Sequence, residues 1–316
     1  MSKVAVILYP QKVDQKKLRA LVEKQLANNP RPLLWLPTSA TKSSQDRAWE
    51  AVKKGASLII IVGGDGTARG VFEVVQGTAV EVAIVPVGTG NVLARNLGIP
   101  LNNLGKAVQL AFRAKAQQID LGLATLDFGG RTGKQQHVFA VMASLGFPAK
   151  IMMNTNLELK RRFGWVAYID GGMRSRPVHL DAMDVSVNGR ASRTVKVVAL
   201  LVGNCGFLPG PITLMQDAKL DDGILDVAAV GPRRWWNWID FWNRVTWMTQ
   251  LVKRVRGWRK IMDDTADVRT LENLSGRQVE VWPANPVAVQ LDGDVFGVVA
   301  KAKFETLPRA LNIRCP

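Results

Sequence analysis

Apolar and polar positions follow two different periods along this chain, and the change from one to the other falls near residues 116–120. In the first part, KVAVILY (3–9), PLLWL (32–36), SLIIIV (57–62) and VEVAIVPV (80–87) are nearly unbroken apolar runs. Such runs belong to strands buried on both faces. Between them, Asp14 to Leu26 sets Leu18, Leu21, Val22 and Leu26 at helical spacing. Gln45 to Lys54, Ala68 to Val75, Asn91 to Asn96 and Asn103 to Ala114 read as further helices. Apolar strands alternating with helices predict a parallel sheet covered on both faces.

Beyond residue 116 the period shortens to two. QQIDLGLATLDF, QHVFAVMASLGF, LDAMDVSVNG, RTVKVVALLVGN, GILDVAAV, RQVEVWP and PVAVQLDGD alternate, broken by Gly, Asn and Pro. That is the pattern of a mostly antiparallel sheet or sandwich. Two stretches of helical spacing interrupt it, at roughly 149–173 and 233–261. The expected architecture is an α/β domain over residues 1–118 and a β-rich domain over 119–304.

Composition narrows the function classes. A hydrophobic content of 47% over 316 residues fills a sizeable core. The net charge of +16 predicts attraction to an anionic partner: nucleic acid, membrane surface or phosphorylated substrate. The two cysteines, Cys205 and Cys315, make no disulfide scaffold and fit a reducing compartment. MSKVAVILYP is too short an apolar run for a signal peptide, and no stretch has the ~18 apolar residues of a membrane span. A cytoplasmic protein, soluble or peripheral to a membrane, is expected. His137 and His179 are the two histidines and lie in strand-like segments without partner ligands. This argues against a zinc site or a Ser-His triad.

Two glycine loops follow two of the apolar strands. In IIIV-GGDGT-ARGVFEVV, Gly63, Gly64 and Gly66 are placed to offer backbone N–H groups to a phosphate, with Thr67 as helix cap. A tight turn closed by an Asx hydrogen bond from Asp65 explains the same residues. VEVAIVPV-GTGN-VLARNLGIP repeats the geometry with Gly88, Thr89 and Gly90, and Asn91 as N-cap. Neither loop has the Gly-Lys-Ser/Thr of a Walker loop or the GxGxxG dinucleotide fingerprint.

GGDGT followed by PVGTGN and its AR-LGIP continuation resembles the diacylglycerol kinase catalytic-domain family, which includes sphingosine kinases and soluble bacterial lipid kinases. VGN at Val202–Asn204, LDDGILDV at Leu220–Val227 and QLDGD at Gln290–Asp294 continue the match in order over nearly the whole chain. The resemblance implies an ATP-dependent lipid kinase with an α/β domain of NAD-kinase/diacylglycerol-kinase type and a β-sandwich domain that supplies the lipid pocket. It also implies that the last strand, about 305–316, returns to the first domain. The chain departs from the family at LYPQKV, which keeps only Pro10 of the usual Asn-Pro-x-Ser-Gly loop, and at Val92, where an acid is usual. Thr38 matches a family position near the nucleotide.

Phosphoryl transfer needs charge neutralisation, alignment and a proton acceptor. Asp65 fits as a Mg2+ ligand, direct or through water, since Mg2+ takes one or two carboxylates beside phosphate oxygens. Gly63, Gly64, Gly66, Gly88 and Thr89 then hold the phosphates of ATP. Arg95 is either an added cation or a solvated surface arginine. The resemblance places the general base in the LDGD motif, at Asp292, with Asp294 where Glu is usual. Asp292-Gly293 is also a hairpin-turn signal, and the two roles are compatible. Asp217 and Asp222 match a structural magnesium site of some bacterial relatives; an acidic turn before a strand explains them equally.

Pro232 to Lys260 holds six of the ten tryptophans, eight basic residues and one acid. As a helix it has two apolar faces. Trp238, Phe241, Trp242, Val245, Met248 and Val252 suit docking on the sheet. Trp236, Trp247 and Trp258 recur on the opposite face beside Arg244 and Arg254, which suits an anionic membrane interface. A helix buried on both sides or a homodimer contact are the alternatives. No nucleic-acid-binding module is visible. The competing functions are an NAD kinase, which shares GGDGT but lacks the GTGN-AR continuation, and a non-catalytic membrane-binding relative of the fold.

Overall fold

A computed structural model of the chain describes residues 2–27, 29–130, 133–146, 180–206, 215, 218–230 and 270–316. The two helical stretches expected near 149–173 and 233–261 lie outside the described residues. So do Asp217, Trp236, Trp247, Trp258, Arg244 and Arg254.

The first part alternates as its apolar pattern predicts. Strands β1 (Lys3–Leu8), β2 (Leu33–Pro37), β3 (Ala56–Gly63) and β4 (Glu81–Pro86) pair in parallel in the order β2-β1-β3-β4. Helices α1 (Gln15–Ala27), α2 (Ser44–Lys53), α3 (Asp65–Val75), α4 (Val92–Asn96) and α5 (Leu104–Arg113) follow the strands. Because side chains alternate along a strand, each apolar run feeds two cores. Ala5, Ile7, Ile59 and Ile61 pack with α2 and α3 residues on one face. Val4, Val6, Leu58 and Ile60 pack with α1 and α5 residues on the other. Helix α2 opens with a capping box in which Ser43 and Asp46 bond each other's backbone N–H.

The rest is β-rich: β5 (Ala116–Asp127), β6 (Lys134–Phe139), β7 (Met142–Gly146), β8 (Asp181–Val187), β9 (Arg193–Val197), β10 (Ala199–Gly203), β11 (Leu225–Val230), β12 (Thr270–Gly276), β13 (Gln278–Pro283), β14 (Val287–Leu291), β15 (Asp294–Val299) and β16 (Lys301–Arg314). One sheet continues the parallel strands through β16, β13, β8 and β9, with β5 and β6 attached. A second has the order β12-β11-β10-β7-β14-β15. Inward residues of the two sheets, among them Phe139, Leu145, Leu200, Val281, Val289 and Phe304, form a sandwich core.

Strand β16 ties the halves together. Asn312–Arg314 pair in parallel with Glu81–Ala83 of β4, while the length of β16 pairs with β5. The register shifts between Leu307 and Leu311, where Pro308 stands and Arg309 has φ 51°. A bulge is where proline is tolerated inside a strand. Among the described residues no helix is long and apolar enough to cross a membrane.

Candidate active site

The carboxyl ends of the parallel strands gather four loops. Tyr9 N–H donates to Val62 O, Thr38 N–H to Leu8 O and Val87 N–H to Gly63 O at 3.0, 2.8 and 3.0 Å. Ligands of open α/β sheets bind at such an edge. Pro10 opens a short 3-10 turn here, and Thr38 adds a hydroxyl bond to Leu8 O at 3.2 Å.

The two glycine loops lie against each other. A Cβ on Gly88 would sit 2.6 Å from the Gly64 Cα and 2.7 Å from Asn91 Oδ1, so no side chain fits between the loops. Helix α3 begins at Asp65, three residues before the expected start at Ala68, and Gly64 is its N-cap. Thr67 therefore lies in the first turn and is not the cap; its side chain packs on Gly63. Asn91 is the N-cap position of α4, with φ 48°, yet its side chain does not cap the helix. Its amide instead bonds the Gly88 N–H at 3.1 Å and the Gly88 carbonyl at 2.7 Å. The Gly88 N–H is thus engaged within its own loop, whereas the sequence had offered it to a phosphate. Thr89 is exposed in the same turn.

The cap of α4 comes from the other loop. The Leu93 N–H donates to Asp65 Oδ1 at 3.3 Å. Burial pushes the Asp65 carboxyl up from its ordinary value, against backbone hydrogen bonds from Val92, Leu93, its own amide and Asn91. Neither a phosphate-loop metal ligand alone nor a local Asx turn describes this arrangement. Asp65 joins loop to loop. Arg95 donates to Gly90 O at 2.9 Å from an exposed position and braces the same turn.

Asp292 reaches this edge from the sandwich. β14 and β15 are joined by Asp292 and Gly293 with φ 48° and 86°, the two positive φ values of a type I′ hairpin. The Asp292 carboxylate accepts N–H bonds from Ala140 at 2.7 Å, Val141 at 2.9 Å and Met142 at 3.0 Å. Burial pushes its pKa up to about 7; the three N–H donors oppose the rise and the Asp65 charge adds to it. Cys205, donating to Ala140 O at 3.4 Å, is buried, and its thiol is held well above the usual range by burial and by Asp292 and Asp65. It is a packing residue, since reactive thiols need a lowered pKa.

A cluster between the domains carries no motif. Arg69 of α3 donates twice to Asp294 Oδ2, from Nε at 3.2 Å and Nη2 at 3.0 Å, and from Nη1 to Glu73 Oε1 at 3.0 Å. Glu73 Oε1 also receives the Val138 N–H at 3.2 Å and lies 3.2 Å from His137 Nδ1. The Arg69 guanidinium stacks 4.7 Å from the Phe296 ring, and His137 packs on the same ring. Asp294 is thereby held beside Gly66, where a Cβ would meet its Oδ2 at 2.9 Å. Asp294 and Arg69 are 225 residues apart, and nothing in a single sequence pairs them. His137, read from sequence as lacking partners, belongs to this cluster. Arg69 is 13% exposed and Glu73 10%. Arg69→Ala is expected to destabilise the fold by about 3 kcal/mol, the cost of breaking a buried pair. Glu73→Gln in the same chain should recover part of that loss, as urea midpoints of the single and double variants will show.

In the acidic loop, Asp222 Oδ1 accepts the Ile224 N–H at 3.1 Å and forms an Asx turn. Its carboxyl is raised by burial and by Asp120 and Asp221. Buried Asp120 accepts the Gly223 N–H at 2.6 Å and the Arg309 N–H at 2.7 Å, pinning this loop to the β16 bulge. Among the described residues no three His, Cys, Asp or Glu side chains gather as a metal cluster.

Comparison with known proteins matches these two halves. A family model described as the diacylglycerol kinase catalytic domain matches residues 3–124, and the YegS C-terminal NAD kinase beta sandwich-like domain matches 142–315. A Pseudomonas aeruginosa protein named "Probable lipid kinase YegS-like" is 32% identical over 235 residues, covering 72% of this chain and 71% of its own. A Synechocystis protein is 26% identical over 294 residues, and one from Pseudomonas putida, named as the P. aeruginosa protein is, 36% over 182. The matches take in 88% and 57% of this chain but only 62% and 57% of those relatives. A Bacillus anthracis crystal structure titled as a diacylglycerol kinase superposes with TM-score 0.73 at 19% identity, covering 100% of this chain and 97% of that one. Yeast NADH kinase gives 0.54 at 12% identity, covering 99% and 82%. At these identities the structures establish the shared fold.

Proposed function

The chain belongs to the family that joins a diacylglycerol kinase catalytic domain to a YegS-type C-terminal sandwich, and on that premise we propose an ATP-dependent lipid kinase that phosphorylates a hydroxyl of a membrane lipid alcohol. The observation that carries this reading is convergence. Asp65 from a glycine loop and Asp292 from the sandwich are close enough for one charge to raise the other's pKa, at the carboxyl edge of the parallel sheet.

Each group has a task in the reading. The backbone of Gly63, Gly64 and Gly66 and the exposed Thr89 face the phosphates, with Thr38 and Pro10 on the nucleoside side. Asp292, with a pKa near 7, takes the proton of the attacking hydroxyl, because a base works best when its pKa lies near the operating pH. Mg2+ fits the donor set: Asp65 and Asp292 are hard oxygen donors, and two neighbouring carboxylates whose pKa values are raised favour a cation beside them. Asp65 would hold it, and when bound it would supply charge neutralisation along the phosphates. Mg2+ at Asp217 and Asp222 is a separate proposal, supported by the acidic sequence of that loop.

ATP and Mg2+ with a mixed-lipid suspension should give radiolabelled lipid phosphate. Phosphorylated NAD instead would make the chain an NAD kinase, and no transfer to either acceptor would leave the non-catalytic membrane-binding reading. The tryptophan stretch supports a membrane-bound acceptor at an anionic surface in a peripheral, cytoplasmic setting. Replacing Trp236, Trp247 and Trp258 with Ala should weaken binding to anionic liposomes about tenfold, the loss of buried aromatic area at the interface. Unchanged liposome binding together with loss of a homodimer in sedimentation would assign that face to a second copy.

A further inference from the structure

Leaving a buried hydrogen bond unmade costs more than making one gains, so unpartnered buried polar atoms call for an explanation. Two stand side by side on the six-stranded sheet. Ser144 is wholly buried and its Oγ has no partner among the described residues; Gln290 Oε1 is buried and equally unpartnered among them. β7 and β14 pair with Ser144 opposite Gln290, so both side chains leave the sheet on one face. It is not the sandwich face: their strand neighbours Ala143, Leu145, Val289 and Leu291 fill that core.

The surroundings of the pair are graded. Ser144 is opposite Leu201 of β10, and Leu201 is opposite Ala228 of β11. Leu201, Ala228 and Met215 form a small apolar cluster of their own. In the other direction, two residues along the strands, lie Met142 and Asp292, joined through the Met142 N–H. Two residues of a strand span about 7 Å. A molecule that presents a hydroxyl to Asp292 therefore reaches Ser144 and Gln290 with its next polar group and Leu201, Ala228 and Met215 with its hydrocarbon.

An amide oxygen only accepts, whereas a serine hydroxyl both donates and accepts. A ligand hydroxyl can donate to Gln290 Oε1 while accepting from Ser144; an ammonium can donate to both. An ester carbonyl satisfies Ser144 and leaves Gln290 Oε1 unpaired. We propose that Ser144 and Gln290 are the head-group selectivity residues of the acceptor site, taking a second hydroxyl or an amine beside the hydroxyl that is phosphorylated. This rests on the lipid-kinase reading and narrows it: monoacylglycerols or sphingoid bases are preferred to diacylglycerols.

The test uses the full chain, with Ser144→Ala and Gln290→Met beside wild type. In thermal melts, 1-monooctanoylglycerol or a short-chain sphingoid base should raise the wild-type Tm more than 1,2-dioctanoylglycerol does; Gln290→Met should lose that difference, and Ser144→Ala should lower the shift given by every one of these ligands. Which of the two preferred ligands shifts Tm more separates a hydroxyl from an amine. Without ligand the variants should melt no lower than wild type, because each removes an unpaired polar atom. In Mg-ATP turnover, KM for the preferred acceptor should rise about tenfold in the variants, a loss of about 1.4 kcal/mol, while KM for dioctanoylglycerol should rise in Ser144→Ala and not in Gln290→Met. Melting shifts that are absent in wild type, or equal in all three proteins, overturn the inference. So does a Ser144→Ala protein that melts several degrees lower without ligand, since its hydroxyl then has a partner in the fold. Ligand binding lost in the variants, with no phosphoryl transfer by wild type, would sink the kinase reading alone. Transfer indifferent to both substitutions would sink this inference alone.

Discussion

Asp65→Ala is expected to reduce lipid phosphorylation about a thousandfold, near the upper end of what removal of one preorganised electrostatic group costs. Two losses combine. The cleft loses the carboxylate that would hold the cation beside the phosphates, and α4 loses the cap that Asp65 supplies to the Leu93 N–H. The second loss has its own readout, because backbone N–H groups left unpaired at a partly buried helix start cost about 1–3 kcal/mol. Asp65→Asn separates the two: its amide oxygen still accepts from Leu93 while the charge is gone. Asp65→Asn should therefore keep most of the urea stability that Asp65→Ala loses and still show most of the activity loss. Equal activity in Asp65→Asn and wild type would confine Asp65 to joining the loops. Gly88→Ala tests how closely the two loops pack: its Cβ has no room against the Gly64 Cα, so urea stability should fall.

The fold was legible because burial writes itself into period. The same apolar run that reads as a two-faced strand, Leu58 to Val62, splits into the two cores that the alternation of side chains requires. The glycine loops were legible as loops, and Asp292-Gly293 as a turn. How they meet was not. The Leu93–Asp65 bond spans 28 residues and the Arg69–Asp294 pair 225, and spacing along one chain carries no information about such contacts. Local motif logic therefore assigned the caps to Thr67 and Asn91, residues with the right chemistry, whereas α3 starts after Gly64 with no side-chain cap and α4 takes its cap from the Asp65 carboxylate of the neighbouring loop. Ser144 and Gln290 look like ordinary members of alternating strands. Only their register and their lack of partners among the described residues distinguish them.

Asp292→Asn should lower kcat/KM by about 10²–10⁴, the range for a lost general base, and should change the pH profile as well as its height. A carboxyl with pKa about 7 is mostly protonated at pH 6 and cannot accept a proton there. Wild-type log(kcat/KM) should thus climb with unit slope below pH 7 and level off above it, and Asp292→Asn should flatten that limb. Stability should move in the opposite sense. The folded pKa lies above an unfolded value of about 3.9, so the native state holds the proton more tightly. Folding stability from this group is fully present below about pH 4 and declines as pH rises through about 7. The stability contributed by Asp292 therefore falls over the same interval in which its carboxylate becomes able to accept a proton. Asp294 provides the decisive comparison: it is held beside Gly66 by Arg69, is 40% exposed, and its Oδ1 faces Gly66. If Asp292→Asn keeps its activity while Asp294→Asn loses it, the proton goes to Asp294, and the three N–H bonds to Asp292 serve to anchor the hairpin that presents it.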